Sequence, residues 1–210
     1  MVAVEKDGIM REAGTAAAEP GALDQVRLEA NRRLNPERKA KLGQFMTPES
    51  VAKFMAGLFS ERTGAIRLLD AGAGVGSLTA AFLNRWGADE VCAAVYEIDG
   101  TLAPYLRETL RAYDNKRFEA TVIDRDFIQD AVYMITMGRK GAGFTHAILN
   151  PPYKKINSDS QHRALLRAVR LETVNLYTAF VGLAMTTVEP LTTVPSVIVT
   201  ASAAPPNVTG

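Results

Sequence analysis

The chain has 210 residues, 47% of them hydrophobic and 22% charged, with a formal net charge of +1, an ordinary soluble composition with length for one sizeable core. Its single cysteine, Cys92, excludes a disulfide framework and a zinc-type thiol cluster, so a reducing compartment fits and no metal site is expected. No apolar run reaches the roughly 18 residues of a membrane span, and the opening MVAVEKDGIMREAG lacks the layout of a signal peptide, so a cytoplasmic protein without membrane contact is expected.

Residues 1–21 are small, rich in Ala and Gly and without apolar periodicity, which predicts a flexible leader. A helix is predicted from Ala22, ending near Pro36. Between Arg27 and Lys41 the chain holds six basic residues against two acidic, either a solvated helix face or a phosphate contact. After GQFMTP a second helix is signalled, with Thr47 as cap, Pro48 at the first helical position and Val51, Phe54, Met55 and Leu58 at helical spacing; Gly64 closes it.

From there strand-like and helix-like runs alternate. IRLLDAGAG, VCAAVYEID, FEATVIDRDF and FTHAILN read as strands; SLTAAFLNRW, TLAPYLRETLRAYD, IQDAVYMITMG and most of Gln161 to Met185 read as helices. The alternation predicts an α/β fold, a doubly wound and mostly parallel sheet covered on both faces. Cys92, inside the second strand, reads as a buried structural residue. After Met185 the texture changes: Thr186 to Gly210 carries one charged residue, six threonines and four prolines. SVIVTA is strand-like there, whereas APPNVTG reads as unstructured.

The first turn, DAGAGVGSL, places Asp70 at a strand end, then Gly72, Gly74 and Gly76, then a helix. In a doubly wound sheet ligands lie beyond the carboxyl ends of the strands, where glycines allow close backbone approach. As a dinucleotide fingerprint the loop is incomplete, because its third glycine position is Ser77, and the Gly-Lys-Ser/Thr ending of a phosphate loop is absent. Glu97 ends the second strand about 20 residues past the loop, where a carboxylate can accept both hydroxyls of a ribose, and Asp126 ends the third, where it can accept from an adenine amino group. Either could instead cap a helix, and Asp99 and Asp124 compete for the same roles.

The fourth strand stops at Asn150, Pro151, Pro152 and Tyr153, alone no more than an Asn-Pro turn beside a packed tyrosine. Taken together, DAGAGVGSL, VYEID, VIDRDF and ILNPPY resemble the class I S-adenosylmethionine-dependent methyltransferases. NPPY is similar to the catalytic motif of the amino-methyltransferases. GQFMTPESVAKFM and the continuation NPPYKKINSDSQHRALLR…ETVNLYTAFV resemble the gamma-type adenine-N6 DNA methyltransferases of restriction-modification systems. The resemblance covers about residues 38–181.

That resemblance implies S-adenosyl-L-methionine as cofactor and double-stranded DNA as substrate, with methyl transfer to the N6 amino group of a flipped adenine. It implies contact of Thr47 with the methionine part, acceptance by Asp70 from the cofactor amino group, and a lining from Ala71, Gly72, Ala73 and Gly74. Glu97 would hold the ribose, Asp126 the adenine, and Ile98 and Pro152 would pack on the adenine ring. Phe45 and Phe127 are further candidates that also suit a core. Asn150 and the Pro151 carbonyl would accept from the target amine and Tyr153 would stack on its base, with Lys154, Lys155 and Arg163 as phosphate contacts. Two prolines make such a ledge stiff, which suits catalysis by orientation and preorganised acceptors.

Family members continue into further strands and a separate target-recognition domain. Here residues 22–185 carry the catalytic pattern and 186–210 depart from it, so the resemblance implies a truncated or frame-shifted chain without the recognition domain. Its implied partners are a cognate restriction endonuclease or a separate recognition subunit. Because NPPY also serves protein-glutamine and ribosomal guanine-N2 methyltransferases, those activities and an inactive cofactor-binding fragment stay open.

Overall fold

The computed structural model describes residues 21–37, 43, 45–60, 64–86, 90–113, 117–138, 143–189 and 197–200. All but Gly21 of the leader expected over residues 1–21, most of the 186–210 tail and the basic residues Arg38, Lys39 and Lys41 lie outside the described residues. The first helices lying wholly among the described residues are α1 (Ala22–Arg33) and α2 (Glu49–Gly57). Strands and helices then alternate as β1 (Ile66–Ala71), α3 (Ser77–Trp86), β2 (Val91–Tyr96), α4 (Ala103–Arg111), β3 (Phe118–Ile123), α5 (Phe127–Thr136) and β4 (His146–Leu149). The series ends in α6 (Gln161–Ala168), α7 (Leu176–Thr187) and β5 (Val197–Val199).

All pairings in the sheet are parallel and its order is β3-β2-β1-β4-β5. Side chains alternate along each strand, so every strand feeds two cores. Ile66 and Leu68 of β1, Val91, Ala93 and Val95 of β2 and Ile148 of β4 pack under α2, α3 and α4. Leu69 and Ala71, Tyr96, and Ala147 and Leu149 pack under α5, α6 and α7. Fully buried side chains such as Phe82, Leu68 and Leu149 stabilise the layers by about 1.5–3 kcal/mol each, which makes the strand ends a rigid frame for the loops beyond them. Among the described residues no helix is long and apolar enough to cross a membrane.

Several expectations are corrected by the packing. In α2 the buried apolar residues are Ala52, Met55 and Ala56, followed by Phe59, whereas Val51, Phe54 and Leu58 face solvent. Two overlapping apolar stripes run along this helix, and small Ala52 and Ala56 let it approach α3 closely. Thr47 does not cap α2: Pro48 is the N-cap residue, and the Glu49 N–H donates to Asp24 Oδ1 at 3.1 Å. Cys92 is exposed, because it pairs in register with Arg67 and Glu119 at a polar end of the sheet that the helices leave uncovered. The stretch Gln161 to Met185 is two helices, separated where Arg170 adopts a left-handed φ of 61°.

The C-terminal strand is present and short. Val197, Ile198 and Val199 lie in register with Ala147, Ile148 and Leu149, so part of the 186–210 segment completes the sheet. α7 runs on to Thr187, and the Glu189 N–H donates to the Phe144 carbonyl at 2.9 Å while its carboxylate pairs with Arg67 at 2.7 Å.

Candidate active site

β1 and β4 are neighbours, but the chain leaves β1 for α3 on one face and β4 for α6 and α7 on the other. Such a divergence opens a crevice at the carboxyl ends of the strands. A cavity of about 280 Å³ lies there, walled by the glycine loop, the end of β2, the start of α5 and the residues after β4.

On the first wall the loop is tied to the end of β2: the Gly72 and Ala73 N–H groups both donate to the Tyr96 carbonyl at 2.9 Å, and the Gly74 N–H donates to Glu97 Oε2 at 2.8 Å. Gly76 has a left-handed φ of 85°, and a Cβ there would lie 2.9 Å from Leu106, so the turn into α3 accepts only glycine without rearrangement. Glu97 is 5% exposed, and its Oε1 accepts from the Asp99 N–H at 2.7 Å. Burial lifts its carboxyl to about 7 against the pull of these two amides. Ser77, at the start of α3, also lines the cavity, with a buried hydroxyl oxygen that has no partner among the described residues.

Asp70 is placed differently from the expectation. It lies on the α3 side of β1, fully buried, and neither it nor Ala71 is on the cavity wall. Its Oδ2 accepts from the Thr79 hydroxyl at 2.6 Å, Oδ1 has no partner among the described residues, and burial raises the carboxyl to about 7. Asp70 therefore anchors the first turn of α3 beneath the loop.

At the opposite wall Ile98 and Asp126 line the cavity with Phe127 and Ile128. Asp126 is also the N-cap of α5, its Oδ1 accepting from the N–H groups of Ile128 at 2.8 Å and Gln129 at 3.3 Å. Oδ2 meets His162 Nε2 at 2.6 Å. Burial pushes the Asp126 carboxyl up, but the His162 bond and charge and the two amides outweigh it and hold it below the usual range. The same bond raises His162. Of the competing carboxylates, Asp99 accepts from the Thr101 N–H at 2.9 Å and Asp124 pairs with Arg107 at 2.6 Å in a separate surface groove.

The ledge after β4 is braced from remote parts of the chain. Asn150 Nδ2 donates to the Phe45 carbonyl at 2.6 Å and to Thr47 Oγ1 at 2.9 Å, and its Oδ1 accepts from the Thr200 hydroxyl at 2.6 Å. Both ends of the carboxamide are thereby oriented. Asn150 and Pro152 line the cavity, as do Phe45 and Thr47; Pro151 is buried behind them. Tyr153 is off the cavity wall: its N–H donates to the Gly43 carbonyl at 3.0 Å, and its ring packs on Tyr177 with centroids 5.1 Å apart. Lys154 and Lys155 lie on the wall, at the start of a ribbon whose Ile156 N–H donates to the Val174 carbonyl. Arg163 is turned away, its side chain 15% exposed and paired with Glu172 at 3.2 Å.

The sequence signals missed four lining residues of consequence: Ser77, Tyr96, His162 and Phe180. Ser77 was legible as the first helical residue after a glycine loop; the others carry no local signature, since each reaches the wall through tertiary packing.

The structure is similar to a class I S-adenosylmethionine-dependent methyltransferase of Listeria monocytogenes, with a TM-score of 0.55 at 15% identity over 80% of this chain and 49% of that one. The fold is thus that of the class I methyltransferases. In sequence, the chain is 48% identical over 171 residues to the type II methyltransferase M.BsuBI of Bacillus subtilis and 40% identical over 172 residues to M.PstI of Providencia stuartii. These matches take in 77% and 78% of this chain. Over these residues the chain is homologous to these type II methyltransferases. It spans 34% of the length of either relative, and no family model matches it.

Proposed function

We propose that the chain binds S-adenosyl-L-methionine in this cavity and carries the methyl-transfer half of a DNA methyltransferase acting on the N6 amino group of adenine. The donor set fits the cofactor. Glu97 offers a buried carboxylate whose two amide bonds leave lone pairs for ribose hydroxyls, and Asp126 offers a second carboxylate. The unpartnered Ser77 hydroxyl beside the glycine loop suits the polar end of the methionine part. Ile98, Phe127 and Phe180 supply apolar surface for a purine.

The single observation that carries the reaction is the orientation of Asn150. Its Nδ2 is spent on Phe45 and Thr47, so Oδ1 is the atom left for a substrate, and the Thr200 hydroxyl occupies only one of its two lone pairs. An exocyclic amine is a poor nucleophile because its lone pair is delocalised into the ring. Accepting one of its hydrogens at Asn150 favours a pyramidal nitrogen whose lone pair is free to attack, an effect of position and preorganised dipoles. When bound, the cofactor supplies an activated sulfonium methyl. No strong base is required of the chain, since the attacking amine is neutral and the methylated nitrogen is acidic enough to release its proton to water. Tyr153, whose ring packs on Tyr177 and edge-on to Phe45, is the residue that would stack on a base turned out of the duplex.

Incubation with methyl-tritiated cofactor and, in parallel, double-stranded DNA, RNA and release-factor protein tests this reading. Label is expected in DNA, recovered as N6-methyladenine; label confined to RNA or protein would transfer the assignment to guanine-N2 or glutamine methylation. Calorimetric titration with the cofactor separates a binding fragment, with affinity but no transfer to any acceptor.

A further inference from the structure

Asp126 and His162 are 36 residues apart in sequence and belong to the helices that follow β3 and the reactive ledge, yet they meet on the cavity wall at 2.6 Å. Neither is placed there by core packing: the His162 side chain is 30% exposed and that of Asp126 17% exposed. A partly exposed pair of this kind contributes little to stability, so the stability of the fold gives little reason for it. Position gives a better one. Asp126 Oδ1 is fastened to two helix amides, and without a partner on Oδ2 the other oxygen would be held by the cap alone. His162 is itself well seated, as the second residue of α6, whose N-cap Ser160 accepts from the Arg163 N–H and donates its hydroxyl to the Asn157 carbonyl at 2.8 Å.

We propose that His162 is a positioning residue for the purine end of the cofactor, orienting the Asp126 carboxylate so that it receives the 6-amino group and discriminates adenine from other purines. The proposal rests on reading the cavity as an S-adenosylmethionine site with its adenine at Asp126. Both lone pairs of Oδ1 are taken by the α5 amides and one of Oδ2 by the imidazole, which leaves one lone pair of a wall-lining group as the acceptor for one N–H donor. A 6-oxo purine sets a carbonyl oxygen, an acceptor, against the carboxylate at that position, so the bond is lost and two acceptors face each other, the condition under which a polar site rejects an analogue strongly. The bond also ties the segment after NPPY to the nucleoside wall, so the purine and the ledge share one support.

The test is calorimetric titration of the full chain with S-adenosylhomocysteine and with S-inosylhomocysteine, its 6-oxo analogue. Wild type is expected to prefer the adenosyl ligand by about tenfold or more. His162→Ala is expected to lose most of that preference, while His162→Gln, whose side-chain amide N–H can reach Asp126, retains most of it. An unchanged preference in His162→Ala overturns the proposal, as does a uniform weakening of both ligands with a lowered melting temperature, the mark of a structural role. Equal affinity of wild type for the two ligands removes the discrimination and the proposal with it. Binding of neither ligand by a folded wild type overturns the cofactor reading itself and, with it, this inference.

Discussion

The two sides of the cavity are built in opposite ways. The glycine-loop wall is held by bonds between consecutive βα units, Gly72 and Ala73 to Tyr96 and Gly74 to Glu97, each tying the end of one strand to the end of its neighbour. The ledge carrying Asn150 depends on Phe45 and Thr47, 105 and 103 residues earlier, and on Thr200, 50 residues later. A wall made by adjacent units is stable wherever the sheet is. A ledge braced at long range is sensitive to anything that displaces its braces, so the proposed cofactor binding and methyl transfer should be separable.

The largest expected effect tests that separation directly. Asn150→Ala should lower methyl transfer by about 10²–10³-fold, the usual consequence of removing one preorganised dipole, while affinity for S-adenosylmethionine measured by calorimetry stays within about threefold. A parallel fall in affinity would show the ledge to be a structural part of the wall and collapse the distinction. Glu97→Gln is the converse: affinity should fall by about tenfold to a hundredfold, from the loss of charge-assisted bonds, with the fold retained.

The same residue gives the wall a pH signature. Glu97 is raised in the folded protein to about 7, so its proton is held more tightly there than in the unfolded chain. Stability therefore falls as pH rises from the ordinary carboxylate range towards 7, a decline to which buried Asp70 contributes in the same direction. In the proposed site the ribose hydroxyls would donate to the ionised form, so cofactor affinity should strengthen as pH rises through about 7 and should be flatter in Glu97→Gln. Affinity that weakens over this window in wild type would remove Glu97 as the ribose acceptor.

The smallest expected effect sharpens the ledge. Gly43 has a left-handed φ of 66°, its carbonyl accepts from the Tyr153 N–H, and a Cβ there would run into the Tyr153 backbone. Gly43→Ala should cost about 1–3 kcal/mol, read as a melting temperature lower by about 2–4 °C per kcal/mol in a chain of this size. Transfer should drop and cofactor affinity should not. An unchanged melting temperature would mean that the segment before α2 is not seated on the ledge.

Much of this was legible because it is local. A strand, a glycine turn and a helix are neighbours in sequence, and Asp70, Gly72, Gly74 and Ser77 have only to follow ordinary βα geometry to reach their places. Even there burial decided a role: Asp70 points under α3 and anchors Thr79, since strand alternation sends it to the same side as Ile66 and Leu68. The apolar face of α2 was misread for a related reason. Val51, Phe54 and Leu58 keep helical spacing as well as Ala52, Met55 and Phe59 do, and only the close approach to α3 selects the smaller set. Thr47 carries a capping signal but spends its hydroxyl on Asn150, a partner no local pattern names.

The sequence alone determined the order of the strands and helices, the doubly wound class and the two motifs that face each other at the switch point, because hydrophobic period, turn residues and chain order are properties of short windows. Only the tertiary structure decided which carboxylates line the cavity, that Asn150 is clamped at both ends, that Tyr153 leans on Tyr177, and that His162 meets Asp126. Each of these joins groups far apart in the chain, and their meeting depends on how the layers pack.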